Sequence, residues 1–368
     1  MNNSRPYHYA LDIIRFFVAC ALVFCHLRIL RHFRAESSGL SVDYFYQISK
    51  GLISVFFAQS GFLIAWSLIR EHEDFSAINL TSFFKRRIIR VWPLYSALCL
   101  FVFFIFPYFP SFSLDEPSKE LQEHFFTKVF LYFSFMPQIN LLFYSFPVYG
   151  ADQLWSIGVE WLFYMIIPFF FVILPVRKPL AYVSLLMICL FVLLRNLTFY
   201  FSGFSHSPFT QKFLYSVFLF FYYTRLECLF IGVFIALAVR EKKNIVFKFI
   251  QQPGLYWVLT VFFLIPFFIP SCWFFIDYFY YSLLSSIFTA RVFISNYRES
   301  YLYESVALFM GKVTYGIYIT HFLILIFLVN LFPDWSDTVI YAVAIPIILT
   351  LSYLLHHLIE KPFQRFLA

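Results

Sequence analysis

The amino-acid sequence predicts an all-α polytopic membrane protein of about ten transmembrane helices, with both termini cytoplasmic. Three observations predict it. Apolar residues fill 61% of the 368 positions and charged residues only 13%, with a mean hydropathy of +0.77, which would leave a water-soluble domain with an apolar surface. Apolar runs long enough to cross a hydrocarbon core of ~30 Å recur along the whole chain. The basic residues divide unevenly between the segments joining those runs.

In chain order the runs lie at about Tyr9–Leu27, Gly51–Ile69, Val91–Tyr108, Leu154–Leu174, Leu180–Leu197 and Phe213–Val239, then Leu255–Ile269, Trp273–Ile294, Val306–Leu331 and Val339–Leu358. The first is a retained span and not a cleaved leader, because Arg15 interrupts its apolar stretch and no small-residue cleavage site follows. The segment Phe125–Phe146 is apolar too, but Pro137 and Pro147 break it, so it is expected to be a re-entrant or interfacial piece. With ten spans and a cytoplasmic N-terminus, seventeen basic residues fall inside and eight fall outside, the outer ones being Arg28, Arg31, Arg34, Lys50, Lys119, Lys128, Arg195 and Lys212. An eleventh span would put the Arg240 to Lys248 cluster outside, against this bias. The net charge of +7 therefore reports topology before it reports nucleic acid. Six cysteines stand singly in apolar runs with no metal-site or disulfide spacing, so no metal centre is expected. No repeat or Gly/Ser-rich linker divides the chain, and residues 1–368 read as one domain.

Charges inside a bilayer are costly and mark functional candidates. Arg15 and His26 are eleven positions apart on the first helix, which returns to within ~20° of one face with a separation of ~16 Å along the axis. Asp12, one turn before Arg15, is its expected ion-pair partner. Glu160 enters the fourth helix about a turn below its outer end, near the expected depth of His26. A carboxylate that orients an imidazole would make a general base there. Equally, Glu160 could pair with an arginine and hold helices together. Arg87 and Arg90, three apart before Val91-Trp92-Pro93, share a face and suit a phosphate or pyrophosphate, although such a cluster also binds lipid headgroups. Arg225 and Glu227 in the sixth helix and His321 in the ninth are further buried polar positions, each open to a packing role. His8, His32, His72, His124 and His206 fall in loops.

Together these features resemble the membrane acyltransferase-3 family, which includes O-antigen acetylases and the membrane portions of peptidoglycan O-acetyltransferases. The resemblance runs nearly end to end. It rests on Leu11-Asp12-Ile13-Ile14-Arg15 followed by His26, on Phe57-Ala58-Gln59-Ser60-Gly61-Phe62-Leu63, and on Arg87-Ile88-Ile89-Arg90-Val91-Trp92-Pro93. It continues in Trp155-Ser156-Ile157-Gly158-Val159-Glu160 through Tyr164, in Arg225-Leu226-Glu227, in Thr314-Tyr315-Gly316-Ile317-Tyr318-Ile319-Thr320-His321, and in the closing Glu360-Lys361-Pro362. Thr314 departs from the serine usual there.

The resemblance implies a multi-pass protein of the bacterial inner membrane that transfers an acetyl or other short acyl group from cytoplasmic acetyl-CoA, or another short acyl-CoA, to a hydroxyl of an envelope glycan. Lipopolysaccharide O-antigen or a lipid-linked saccharide is the expected acceptor, reached from the periplasmic side. It makes Arg15 and His26 the signature functional pair and assigns Arg87 and Arg90 to the acyl-CoA donor, with Asp12, Ser60, Tyr164, Arg225 and His321 as further candidates. His26 would serve as general base or as transient acyl carrier. No hydrolase-like domain follows the spans before Ala368, so a stand-alone membrane type is expected. Two other readings stay open at this stage: a transporter or flippase for a glycolipid or small acid, and acylation of a small diffusible acceptor.

Overall fold

A computed structural model of the chain describes residues 9–33, 42–109, 115–144, 148–175, 178–204, 207–241, 245–255, 257–261, 277–294 and 301–366. Its elements are helices: α1 (Tyr9–Phe33), α2 (Val42–Phe75), α3 (Leu80–Phe104), α4 (Asp115–Glu123), α5 (Phe125–Phe133), α6 (Pro137–Phe143), α7 (Leu154–Ile173), α8 (Lys178–Phe204), α9 (Pro208–Thr224) and α10 (Leu226–Arg240). There follow α11 (Ile245–Ile250), α12 (Asp277–Ile294), α13 (Tyr301–Leu331), α14 (Asp337–Leu355) and α15 (Lys361–Phe366), the last two joined by a single π turn at His356–Glu360. Among the described residues, seven helical stretches are long and apolar enough to cross a membrane, and α9 with α10, bent by 41°, makes an eighth. The expected span at 255–269 lies largely outside the described residues, and that at 273–294 is represented by α12.

Burial sorts these helices into interior and rim. The apolar windows of α2 and α13 are each 72% buried, against 22% for α8 and for α14 with α15, so the first two form the centre and the others face outward. The α2 backbone lies directly against α10, because Gly61 faces the Leu229 carbonyl and Gly232 faces the Ala58 carbonyl with no room for a Cβ. Close approach of this kind is how helices associate in lipid, where burial of apolar surface drives little. On the other side α1 packs along α13 and α14.

Within the segment 115–143 no helix is long enough to cross a membrane. Its three helices have 9, 9 and 7 residues, each far short of a hydrocarbon core of ~30 Å. The chain turns at Phe135 (φ 57°), whose ring is held between Tyr95 and Trp161 at centroid distances of 4.5 and 4.4 Å.

Several charges assigned to loops from sequence belong to the interior. Arg195 lies within α8 and is buried in an ion pair with Glu227 of α10. Lys50 is buried within α2, bonded to the Tyr222 hydroxyl, and the Lys128 ammonium is buried beside Glu120 at 2.7 Å. Arg28 and Arg31 prolong α1 and clamp Asp337, with Arg31 also donating to the Pro333 carbonyl at 2.7 Å. Such pairing is what makes a charge tolerable inside a bilayer. The sixth expected helix, at 213–239, is likewise broken at Arg225, which takes a left-handed conformation (φ 42°, ψ 41°) between α9 and α10.

Candidate functional site

The site forms where the N-terminal halves of α1 and α3 meet α2, α7 and α13. Asp12 and Arg15 lie one turn apart on α1. At Gly311 of α13 a Cβ would stand 2.6 Å from Asp12 Oδ2, so a larger residue there would displace this carboxylate. Asp12 is within electrostatic reach of Arg15, as the sequence suggests, and the Arg15 Nε also donates to Gln59 Oε1 of α2 at 3.1 Å.

Both residues line a cavity of about 150 Å³ together with Ser60, Arg87, Arg90, Ser156, Glu160, Tyr164, Thr314, Tyr315 and Tyr318. Arg87 reaches in from α3 with its guanidinium 5.4 Å from the Phe83 ring and 5.3 Å from the Tyr164 ring. Its buried Nε has no hydrogen-bond partner among the described residues. Glu160, one turn before Tyr164 on α7, lies near the Tyr164 hydroxyl and faces both Arg15 and Arg87. Three guanidinium groups and two carboxylates thus share one interior space, an excess of positive charge suited to an anionic guest. Arg90 is exposed and also lines a wider space of about 580 Å³ with Asp12, Arg15, Arg86, Lys312, His356 and Glu360, so the cavity opens past Arg90 to the end of the bundle. There the π turn brings His356 Nδ1 to 2.9 Å from Glu360 Oε2.

At the opposite end the cavity stops at Ser156 and Tyr318. These hydroxyls are hydrogen-bonded to each other, and the Tyr318 hydroxyl donates to the Gln153 carbonyl at 3.1 Å. One turn beyond Tyr318 lies His321, whose Nε2 is 2.7 Å from Nδ1 of His26. The Tyr318 and His321 rings are 5.8 Å apart, so Tyr318 stands between the cavity and the histidine pair.

The sequence-derived candidates therefore separate into two groups. Asp12, Arg15, Ser60, Arg87, Arg90, Glu160 and Tyr164 meet around the cavity, whereas His26 meets His321 beyond its roof. The expected Glu160–His26 pairing is absent: Glu160 lies at the depth of Arg15, a level below His26. The helix-tying alternative, an arginine neighbour for Glu160, matches the contacts. Arg225 joins neither group. It is buried at the α9–α10 break, donating to the Lys50 and Tyr222 carbonyls and lying 4.0 Å from the centroid of the Tyr278 ring. Ser156, Tyr318 and Gln59 had no role from sequence, although each lies inside a segment that carries the family resemblance. Periodicity could have found Tyr318, three residues before His321 on the same helix face. Among the described residues no group of three His, Cys, Asp or Glu side chains could hold a metal ion.

An all-α multi-pass bundle holding a cation-rich internal cavity beside a hydrogen-bonded histidine pair defines the class of protein. The chain belongs to the acyltransferase family whose model, Acyl_transf_3, described as an acyltransferase domain, matches residues 8–357. It is similar to O-acetyltransferase OatA of Staphylococcus aureus (strain NCTC 8325 / PS 47), with 25% identity over 341 residues, covering 86% of this chain and 53% of that protein. It is also similar to acyltransferase MdmB of Streptomyces mycarofaciens, with 26% identity over 175 residues, covering 46% of this chain and 41% of that one. The chain spans about half the length of the O-acetyltransferase OatA it matches. No solved structure matches it.

Proposed function

We propose that this protein is a bacterial inner-membrane O-acetyltransferase that moves an acetyl or other short acyl group from cytoplasmic acyl-CoA to a hydroxyl of an envelope glycan, of which lipopolysaccharide O-antigen is the leading candidate. The observation that carries this reading is the cavity itself, with Arg15, Arg87 and Arg90 about one internal space that opens at the Arg90 end and stops one residue layer short of His26. In this reading the Arg87 and Arg90 end is cytoplasmic and receives the phosphates of the donor, while the narrower interior takes the thioester arm. Arg15 and Glu160 form the charged floor that orients the arm. His26 takes the proton of the attacking hydroxyl, and Tyr318 must turn aside for the thioester to reach it. The acceptor comes from the periplasmic side. Similarity to a protein named O-acetyltransferase supports the acetyl group and the oxygen acceptor.

Mass spectrometry of envelope glycans from a deletion strain and a complemented strain, before and after mild base, tests this function. An ester-labile acyl mass present only in the complemented strain is expected. Identical glycan masses in both strains would overturn the glycan acceptor, and an acylated small compound in the medium would put a diffusible acceptor in its place.

A further inference from the structure

The hydrogen bonds around His321 determine which nitrogen of His26 is free. His321 Nδ1 is 2.8 Å from the Tyr318 carbonyl oxygen and 3.1 Å from that of Ile317. A carbonyl oxygen only accepts, so Nδ1 of His321 carries the hydrogen. In a neutral imidazole the other nitrogen, Nε2, is then a bare acceptor. That acceptor lies 2.7 Å from Nδ1 of His26, which must therefore be the donor. The rings are tilted by only 14° with centroids 5.0 Å apart, which places them edge to edge across the N···N contact and not face over face. The lone pair, which lies in the ring plane, points at the His26 N–H. Nε2 of His26 is left without a proton.

We infer that His321 is a positioning residue that holds His26 as its Nδ1–H tautomer, so that His26 presents a bare Nε2 to the acceptor hydroxyl. The inference rests on the reading of His26 as the base for acyl transfer. The backbone supplies the anchor: two carbonyls one turn back on α13 orient His321, and His321 orients His26 across the α1–α13 interface. A histidine thus fills the place that a carboxylate commonly takes behind a catalytic imidazole. During transfer the hydroxyl oxygen bonds to the acyl carbon as its proton passes to His26 Nε2. The carbon–sulfur bond then breaks, the sulfur leaves with the electron pair, and the proton on Nε2 passes to that sulfur. Throughout, Nδ1–H stays on His321 Nε2, which supports the transient imidazolium. The same helical turn carries Tyr318, so the residue that closes the cavity roof is also the one whose carbonyl anchors the relay.

Two measurements test this. Nitrogen NMR of histidine-labelled protein in lipid discs, assigned with His26→Gln and His321→Gln variants, is expected to show His26 protonated at Nδ1 and bare at Nε2. An Nε2–H tautomer of His26, or a doubly protonated His321 at neutral pH, would overturn the assignment. In membranes supplied with acetyl-CoA and the cell's own envelope glycan, thiol release gives kcat and the KM for acetyl-CoA. His321→Gln keeps an acceptor oxygen at about the Nε2 position and is expected to hold kcat within about tenfold, while His321→Leu loses about a hundredfold or more with KM unchanged. Equal losses in the two variants, or none in His321→Leu, would reduce His321 to a packing residue. Full activity in His26→Gln together with the Nδ1–H tautomer in the wild-type spectrum would instead refute the catalytic reading of His26 and leave the hydrogen-bond assignment standing.

Discussion

Arg87 lies with its guanidinium against the rings of Phe83 and Tyr164, so its flat shape matters as much as its charge. A lysine would keep the charge and lose the stacking and the forked donors. Arg87→Lys is therefore expected to raise the KM for acetyl-CoA by about five- to thirtyfold, the equivalent of ~1–2 kcal/mol. Its melting temperature should stay near that of the wild type. An unchanged KM would remove Arg87 from the donor site. Glu160 behaves differently because it stands among Arg15, Arg87 and the Tyr164 hydroxyl. Glu160→Gln removes one of the two carboxylates that face the interior cations, a change that costs about 3 kcal/mol in buried pairs. Melting temperature and acyl transfer should fall together in this variant, and a loss of transfer at unchanged melting would mean that Glu160 acts in the chemistry alone. Both residues were legible in the sequence, Glu160 as a charge within an apolar run and Arg87 in a basic cluster just before one. Their partners were not, since the depth of Glu160 depends on where α7 begins relative to α1, and no local signal carries that offset.

At the scale of elements, the crossing of α2 and α10 depends on two positions without side chains. Gly61 and Gly232 each face backbone of the opposite helix. Gly61→Val or Gly232→Val must push the helices apart and is expected to lower stability by about 1–3 kcal/mol, read as a drop in the detergent melting temperature. Melting like that of the wild type would show that the crossing can open freely. The glycines were visible in the resemblance motifs, whereas the break at Arg225 was hidden. No glycine or proline lies between Phe213 and Ile231, and a left-handed arginine costs about 1–2 kcal/mol by itself. Contacts distant in sequence impose it, namely the Lys50 carbonyl on α2 and the Tyr278 ring on α12. The approach to α7 holds a titrating group outside the spans. Burial pushes the Asp152 carboxyl up to about 7, although the Gly150 N–H donates to it at 3.2 Å and Lys128 draws it down. Its folded pKa lies above the unfolded value, so the folded state binds more protons between about pH 4 and pH 7, and stability is lost as pH rises through that window. Asp152→Asn should flatten the fall in melting temperature between pH 5 and pH 7. A slope equal to that of the wild type would show that other groups govern it.

For the whole molecule, composition and hydropathy suffice for the class because a bilayer leaves helices as the simplest way to satisfy the backbone. Counting loop charges served less well. Arg31, Lys50, Lys128 and Arg195 are interior residues with partners, and a one-dimensional reading cannot distinguish a loop lysine from one that ends a helix facing inward. The two-ended arrangement of the site was partly legible from the eleven-residue spacing of Arg15 and His26 along α1. Its roof, Tyr318 against Ser156, needed two helices far apart in the chain to be brought together. The central proposal is that donor and acceptor meet this protein from opposite membrane faces, with the cavity and His26 between them. Vesicles of purified protein in one orientation, with labelled acetyl-CoA sealed on the Arg90 side and envelope glycan added only on the His26 side, test it most directly. Label on the glycan, free CoA retained on the donor side, and loss of both in His26→Ala are the expected result. Transfer that occurs only when acetyl-CoA and glycan share one face would contradict it.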